Sequence, residues 1–130
     1  MIALDTNILV RFIVQDDPKQ TASAIGLLSS RGETFFVADL VLAELVWLLP
    51  SRYGFSRVEV VEVLRAFLSR ADFITEDEER VTNAVEAYAK GGDFADELIY
   101  SQAATHDCVS LASFDEQLVK RHPHFVRKPR

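Results

Sequence analysis

Four acidic residues occupy positions where a carboxylate needs a reason to be: Asp5, Glu44, Asp96 and Asp115. Asp5 closes the short apolar run Ile2 to Leu4. It is followed by Thr6, Asn7 and the helically spaced Ile8, Leu9, Phe12 and Ile13. That pattern reads as a buried parallel strand carrying Asp5 to its C-terminal end before a helix, and ligands of open α/β sheets bind at that end. Asp5 is also a good helix cap, and both readings stand. Glu44 is the one ionisable group between Leu40 and Leu49. A helix apolar on every side is buried, and a buried carboxylate must be paired, protonated or on a cation. The alternatives are an ion pair with an Arg, or a helix that packs less completely than its composition suggests.

Asp96 lies one turn before Ile99 and Tyr100, at the head of the expected buried face of its helix, with Asp93 and Glu97 off that face. Its alternative role is to complement the helix dipole. Asp115 follows a fourth strand as Asp5 follows the first, with Ser113 available as the N-cap; taken alone, it reads as an ordinary first-turn acid. If the first and fourth strands are neighbours, all four acids can meet at one end of the sheet. Crowded carboxylates repel, and a hard cation makes the crowding favourable. Ligands that are all oxygen suit Mg²⁺ or Mn²⁺ better than zinc. Such centres act on phosphate esters, where the ion orients water and offsets charge on the phosphorus oxygens.

The elements that must position these acids alternate between strand and helix, which predicts an α/β fold: a central parallel sheet in a three-layer α/β/α arrangement. Asp17 and Pro18 start a second helix with Thr21, Ala24, Ile25 and Leu28 inward, ended by Gly32. The second strand is expected over Thr34 to Ala38. Asp39 caps the Glu44 helix, which runs to Leu49 and is closed by Pro50 and Gly54. Ser56 and Glu59 form a capping-box pattern ahead of Val60, Val63, Leu64, Phe67 and Leu68. A third strand spans Asp72 to Thr75. The acids from Glu76 to Glu78 then begin a helix with Val81, Ala84, Val85 and Tyr88 buried, and are structural. After Gly91 and Gly92 a helix runs from about Ala95 to His106, followed by a strand over Cys108 to Ala112 and a short helix through Val119. Phe125 and Val126 form a final edge strand, and the basic tail beyond is loose.

The 130 residues, 48% hydrophobic and 26% charged, suit one domain with a proper core, residues 1–130. A net charge of −6 argues against gripping nucleic acid by bulk electrostatics, but not against a nuclease whose clustered acids hold metal. The single cysteine, Cys108, excludes an internal disulfide and a thiolate zinc site, and is expected in the core. No signal peptide or membrane span is read, so the expected location is cytoplasmic.

Taken together, the motifs resemble those of PIN-domain ribonucleases, most closely the VapC toxins of bacterial and archaeal toxin–antitoxin pairs. The resemblance rests on Leu4-Asp5-Thr6-Asn7-Ile8-Leu9, on Ala43-Glu44-Leu45, on Asp93-Phe94-Ala95-Asp96-Glu97-Leu98-Ile99 and on Leu111-Ala112-Ser113-Phe114-Asp115. Each is weak alone; their order across nearly the whole chain is specific. The resemblance implies Asp5, Glu44, Asp96 and Asp115 as catalytic, metal-binding acids, with Asp5 and Asp96 the main ligands of Mg²⁺, for which Mn²⁺ substitutes. It also implies supporting polar roles for Thr6, Asn7 and Ser113. Ser113 replaces the more usual Thr, Leu118 a common Phe, and Asp93 is an extra, accessory acid. The implied reaction is hydrolysis of RNA phosphodiesters. The implied partners are an RNA substrate, a cognate antitoxin that masks the site, and a second copy in a homodimer, with no membrane. Basic residues available to RNA are Arg11, Arg52, Arg57, Lys120, Arg121, Arg127, Lys128 and Arg130. His106, His122 and His124 are given no role.

Two other readings compete. A haloacid-dehalogenase-like phosphatase also opens on a strand ending in Asp, but needs an acid where this chain has Asn7. A PIN-like RNA- or protein-binding module without catalysis would be expected to have lost its acids, and all four are present.

Overall fold

A computed structural model describes residues 1–130 as seven helices and five short strands. All strand pairing is parallel, as the α/β alternation requires. The chain divides into two compact units, Met1–Glu78 and Glu79–Arg130. No helix is long and apolar enough to cross a membrane.

The first unit holds β1 (Ile2–Ala3), α1 (Thr6–Val14), α2 (Pro18–Leu28), β2 (Phe35–Val37), α3 (Asp39–Tyr53), α4 (Arg57–Leu68) and β3 (Phe73–Thr75). Its sheet has the order β1-β2-β3, with Ile2 opposite Phe35 and Phe35 opposite Phe73. The Leu4 N–H donates to the Phe36 carbonyl at 2.9 Å and so pins the chain just before Asp5. The aromatic and β-branched residues of β2 suit a covered sheet, and Phe35 and Val37 are fully buried. They pack with Leu9, Leu42, Leu45, Leu49, Val60 and Leu64 in the core. Phe67 stacks on Phe73 at 5.2 Å, and the Arg70 guanidinium covers the Phe73 ring while pairing with Asp72.

Local signals hold where they are self-contained. Asp17 caps α2 with Pro18 at its first position, and Ser56 and Glu59 form the full capping box of α4. Several boundaries move. Helix α2 stops at Leu28 with Ser29 as its cap, and Gly32 serves the following turn at φ 74°. Helix α3 does not stop at Leu49: it carries Pro50 inside it and ends at Tyr53. Gly54 is left-handed there, and the Phe55 N–H reaches the Leu49 carbonyl. Asp39 is its first helical residue rather than its cap. The Asp39 N–H donates to Glu76 Oε2 at 2.6 Å, so Glu76 serves the start of α3, while the next helix begins at Glu78.

The second unit holds α5 (Glu78–Ala89, all but its first residue), α6 (Phe94–Thr105), β4 (Leu111–Ala112), α7 (Glu116–Arg121) and β5 (Val126–Arg127). Val81, Ala84, Val85 and Tyr88 of α5 are buried as expected. The ladder partner of β4 is β5, with Leu111 opposite Val126. Strand β4 is shorter than expected because Asp107 turns left-handed and Val109 is exposed. Cys108, expected in the core, is exposed with it. The tail is tied rather than loose: Arg127 pairs in β5, and Lys128 Nζ bonds Glu116 at 2.7 Å.

Replacing Ser56 with Ala removes the capping box of α4 and should cost about 1 kcal/mol. Urea unfolding should show a lower midpoint at an unchanged slope.

Candidate functional site

Each unit carries its own pair of the implicated acids. In the first, Asp5 is the N-cap of α1, and its Oδ1 accepts the Thr6 N–H at 2.7 Å. Capping occupies one oxygen and leaves the other for a further partner, so the two readings of Asp5 are compatible. Thr6 is buried, 4% exposed, and its hydroxyl donates to Glu44 Oε2 at 3.4 Å. Thr6 thus bonds Asp5 through its backbone and Glu44 through its side chain.

Glu44 is not buried. Helix α3 buries Leu42, Leu45, Val46 and Leu49, and turns the opposite face outward. Leu40 is 69% exposed and Trp47 68%, with Glu44 between them on the i, i+4, i+7 stripe. The apolar run around Glu44 therefore reflects an open apolar face, not a fully enclosed helix. Asn7 lines a separate groove of about 530 Å³ beside Arg11, Lys19 and Gln20. The Arg11 guanidinium is already bonded to Asp16 and Gln20 there.

In the second unit, Asp93 caps α6 by accepting the Asp96 N–H at 2.9 Å. Asp115, not Ser113, caps α7: it accepts the Leu118 N–H at 3.0 Å, while Ser113 Oγ accepts the N–H of Asp115. The helix begins two residues later than a Ser113 cap would need. Asp93, Asp96 and Asp115 line a pocket of about 140 Å³ together with Gly91, Gln117, Leu118 and Arg121. Burial pushes the Asp96 carboxyl up to about 6, helped by the charges of Asp93 and Asp115 and by a hydrogen bond with Asp115. Asp115 is held below the ordinary carboxylate value, first by the Leu118 N–H and also by Arg121.

Asp96 is half-buried, but the inward face of α6 is rotated from the expected one. Phe94, Glu97 and Leu98 are buried, whereas Ile99 is 51% exposed. Glu97, expected off the buried face, is 5% exposed and paired on both oxygens: Arg121 Nη1 at 2.9 Å and His122 Nε2 at 2.8 Å. The His122 ring stacks on Tyr100 at 3.5 Å, so it is a built-in residue and not a loop histidine. The signal for this network was in the sequence: Glu97 shares the i, i+3, i+4 stripe of Phe94 and Leu98.

The donor atoms fit a hard cation. They are all oxygen, and a half-buried Asp96 disfavoured as an anion is what a nearby divalent charge would relieve. No three His, Cys, Asp or Glu side chains form a closed cage. Mg²⁺ asks for less, since it keeps several waters and takes one or two carboxylates.

A family model described as PIN domain matches residues 2–122. A protein named VapC ribonuclease from Aquifex aeolicus (strain VF5) is 29% identical over 123 residues, covering 92% of this chain and 91% of that protein.

In metal-free protein, NMR titration of the side-chain carboxyls should place the Asp96 midpoint near 6. Because this group is raised in the folded state, its ionisation weakens the fold as pH climbs through 6, and the penalty disappears below the usual Asp value near 4. Asp96→Asn should therefore raise the metal-free Tm relative to wild type at pH 7.5 and not at pH 3.5.

Proposed function

This chain belongs to the PIN-domain family, and from that premise we propose that it is an endoribonuclease dependent on Mg²⁺ or Mn²⁺, the toxin of a toxin–antitoxin pair. The observation that carries the reading is the convergence of Asp93, Asp96 and Asp115 on one small pocket, where the Asp96 carboxyl is pushed up to about 6. The similarity to a protein named VapC ribonuclease supports the RNA substrate and the toxin role. We read residues 1–130 as one PIN domain working in the cytoplasm, neutralised by a cognate antitoxin and assembled as a homodimer.

Asp5 and Asp96 would be the main ligands of the ion, with Glu44 and Asp115 completing the set directly or through water. When bound, the ion supplies a water of lowered pKa and offsets charge on the phosphate oxygens. The reaction is hydrolysis: the water oxygen bonds to phosphorus, the bond to the 3′ oxygen breaks, and that oxygen leaves. The chain's own part is to hold oxygens still. The caps at Asp5 and Asp115 fix those carboxylates on the backbone, Thr6 orients Glu44, and Ser113 secures the turn before Asp115. Asp93 sets the first turn of α6 and adds charge beside Asp96.

Asp5→Asn should keep the fold, because Asn caps a helix as well as Asp does, and should abolish cleavage of a mixed RNA pool. EDTA should stop wild-type cleavage and Mg²⁺ or Mn²⁺ should restore it. Undiminished cutting by Asp5→Asn, or in chelator, rejects the proposal. RNA binding with no cutting under any metal would identify a binding module instead.

A further inference from the structure

Among the side chains lining the Asp93, Asp96 and Asp115 pocket, Arg121 is the one cation. Its placement is unusually determined for a residue on the last turn of a short surface helix. Nη1 donates to Glu97 Oε1 at 2.9 Å, and Glu97 is buried and held from its other oxygen by His122. The His122 ring is itself clamped against Tyr100. On the other side, the guanidinium lies over the bare backbone of Gly92. A β-carbon at position 92 would come within 2.6 Å of Arg121 Cζ and 2.8 Å of the Ala87 carbonyl oxygen, so a side chain there would displace it. A buried acid, a stacked imidazole and a glycine thus converge on holding one guanidinium at the rim of an acidic pocket.

A simple ion pair does not need that arrangement, and a pair placed only for stability is readily replaced by apolar packing. Glu97 engages one nitrogen of a group with five N–H donors in a planar fork. The remaining edge can take a tetrahedral anion, the chemistry for which a guanidinium is better shaped than an ammonium. Arg121 and Asp115 line the same pocket, which makes the guanidinium part of the same site. Arg11 lacks this freedom, being bonded to both Asp16 and Gln20.

We propose that Arg121, preset by Glu97, His122 and the side-chain-free Gly92, grips a phosphate of the RNA strand beside Asp96 and Asp115. This inference rests on the ribonuclease reading above and adds a substrate-touching residue to it. Glu97 and His122 are positioning residues that act through Arg121.

The test separates a phosphate contact from a purely structural role. In the Asp5→Asn background, binding of a mixed pool of single-stranded RNA is measured over a range of salt concentrations, with and without Arg121→Gln. A lost phosphate contact should reduce the slope of log affinity against log salt by about 0.7, the value for one contact to a single strand. Arg121→Lys keeps the charge and should keep the slope. In otherwise wild-type protein it should lower kcat about tenfold through loss of the planar fork. An unchanged slope in folded Arg121→Gln overturns the inference. If Arg121→Gln does not fold, Arg121→Lys decides: wild-type kcat overturns the inference and reduced kcat sustains it. Wild-type protein that neither binds nor cuts RNA overturns the ribonuclease reading along with this one, whereas wild-type cleavage with indifferent Arg121 variants overturns this one alone.

Discussion

A carboxylate that accepts a backbone N–H at the start of a helix is held by the main chain, not by its own rotamer preference. Three of the acids use this device, Asp5 on α1, Asp93 on α6 and Asp115 on α7. The bond satisfies one oxygen and benefits from the positive end of the helix dipole, which offsets some of the cost of gathering negative charge. The second oxygen is thereby presented in a fixed direction without a dedicated scaffold. Capping and ligation are complementary uses of one group, and the short strands of two or three residues need only be long enough to deliver the chain to the next helix start.

The two acids that do not cap are placed by their neighbours. Glu44 is met by the Thr6 hydroxyl, and Thr6 is the residue that Asp5 caps, so the geometry of one acid passes to the next through a buried threonine. Asp96 has its backbone N–H bonded by Asp93 and its carboxyl against Asp115. Each pair is therefore locally determined within its own unit. Burial raises the Asp96 carboxyl, and the charges of Asp93 and Asp115 add to it.

Much of this was legible in the sequence because the signals are local. A cap and the residue three positions on identify α2 and α4 with no tertiary information, and the α5 stripe identifies its own buried face. The errors fall where a distant group decides. Asp39 is not a cap because Glu76, far along the chain, supplies the carboxylate at the start of α3. Pro50 does not end α3, because a proline removes a single backbone bond and the packing of Leu45 and Leu49 favours continuation. Glu97 falls off the buried face when Asp96, Ile99 and Tyr100 are read as the inward stripe, and the partners that reveal its burial, Arg121 and His122, lie more than twenty residues away. For Glu44 the sequence leaves open a buried carboxylate and a helix that packs less completely than it looks, and the structure shows the second, since composition alone cannot tell an enclosed helix from one with an uncovered apolar side.

That uncovered side has its own consequence. Leu40 and Trp47 flank Glu44 with water-repelling surface. Anything that settles on this stripe strips hydration from the carboxylate as it gains contact with the indole. The favourable and unfavourable parts of such an encounter are inseparable, because one helical turn holds both. A covering molecule that brings no positive charge must strand an anion in a dry contact, which costs more than one apolar side chain returns. The stripe therefore sorts its visitors by sign as well as by shape.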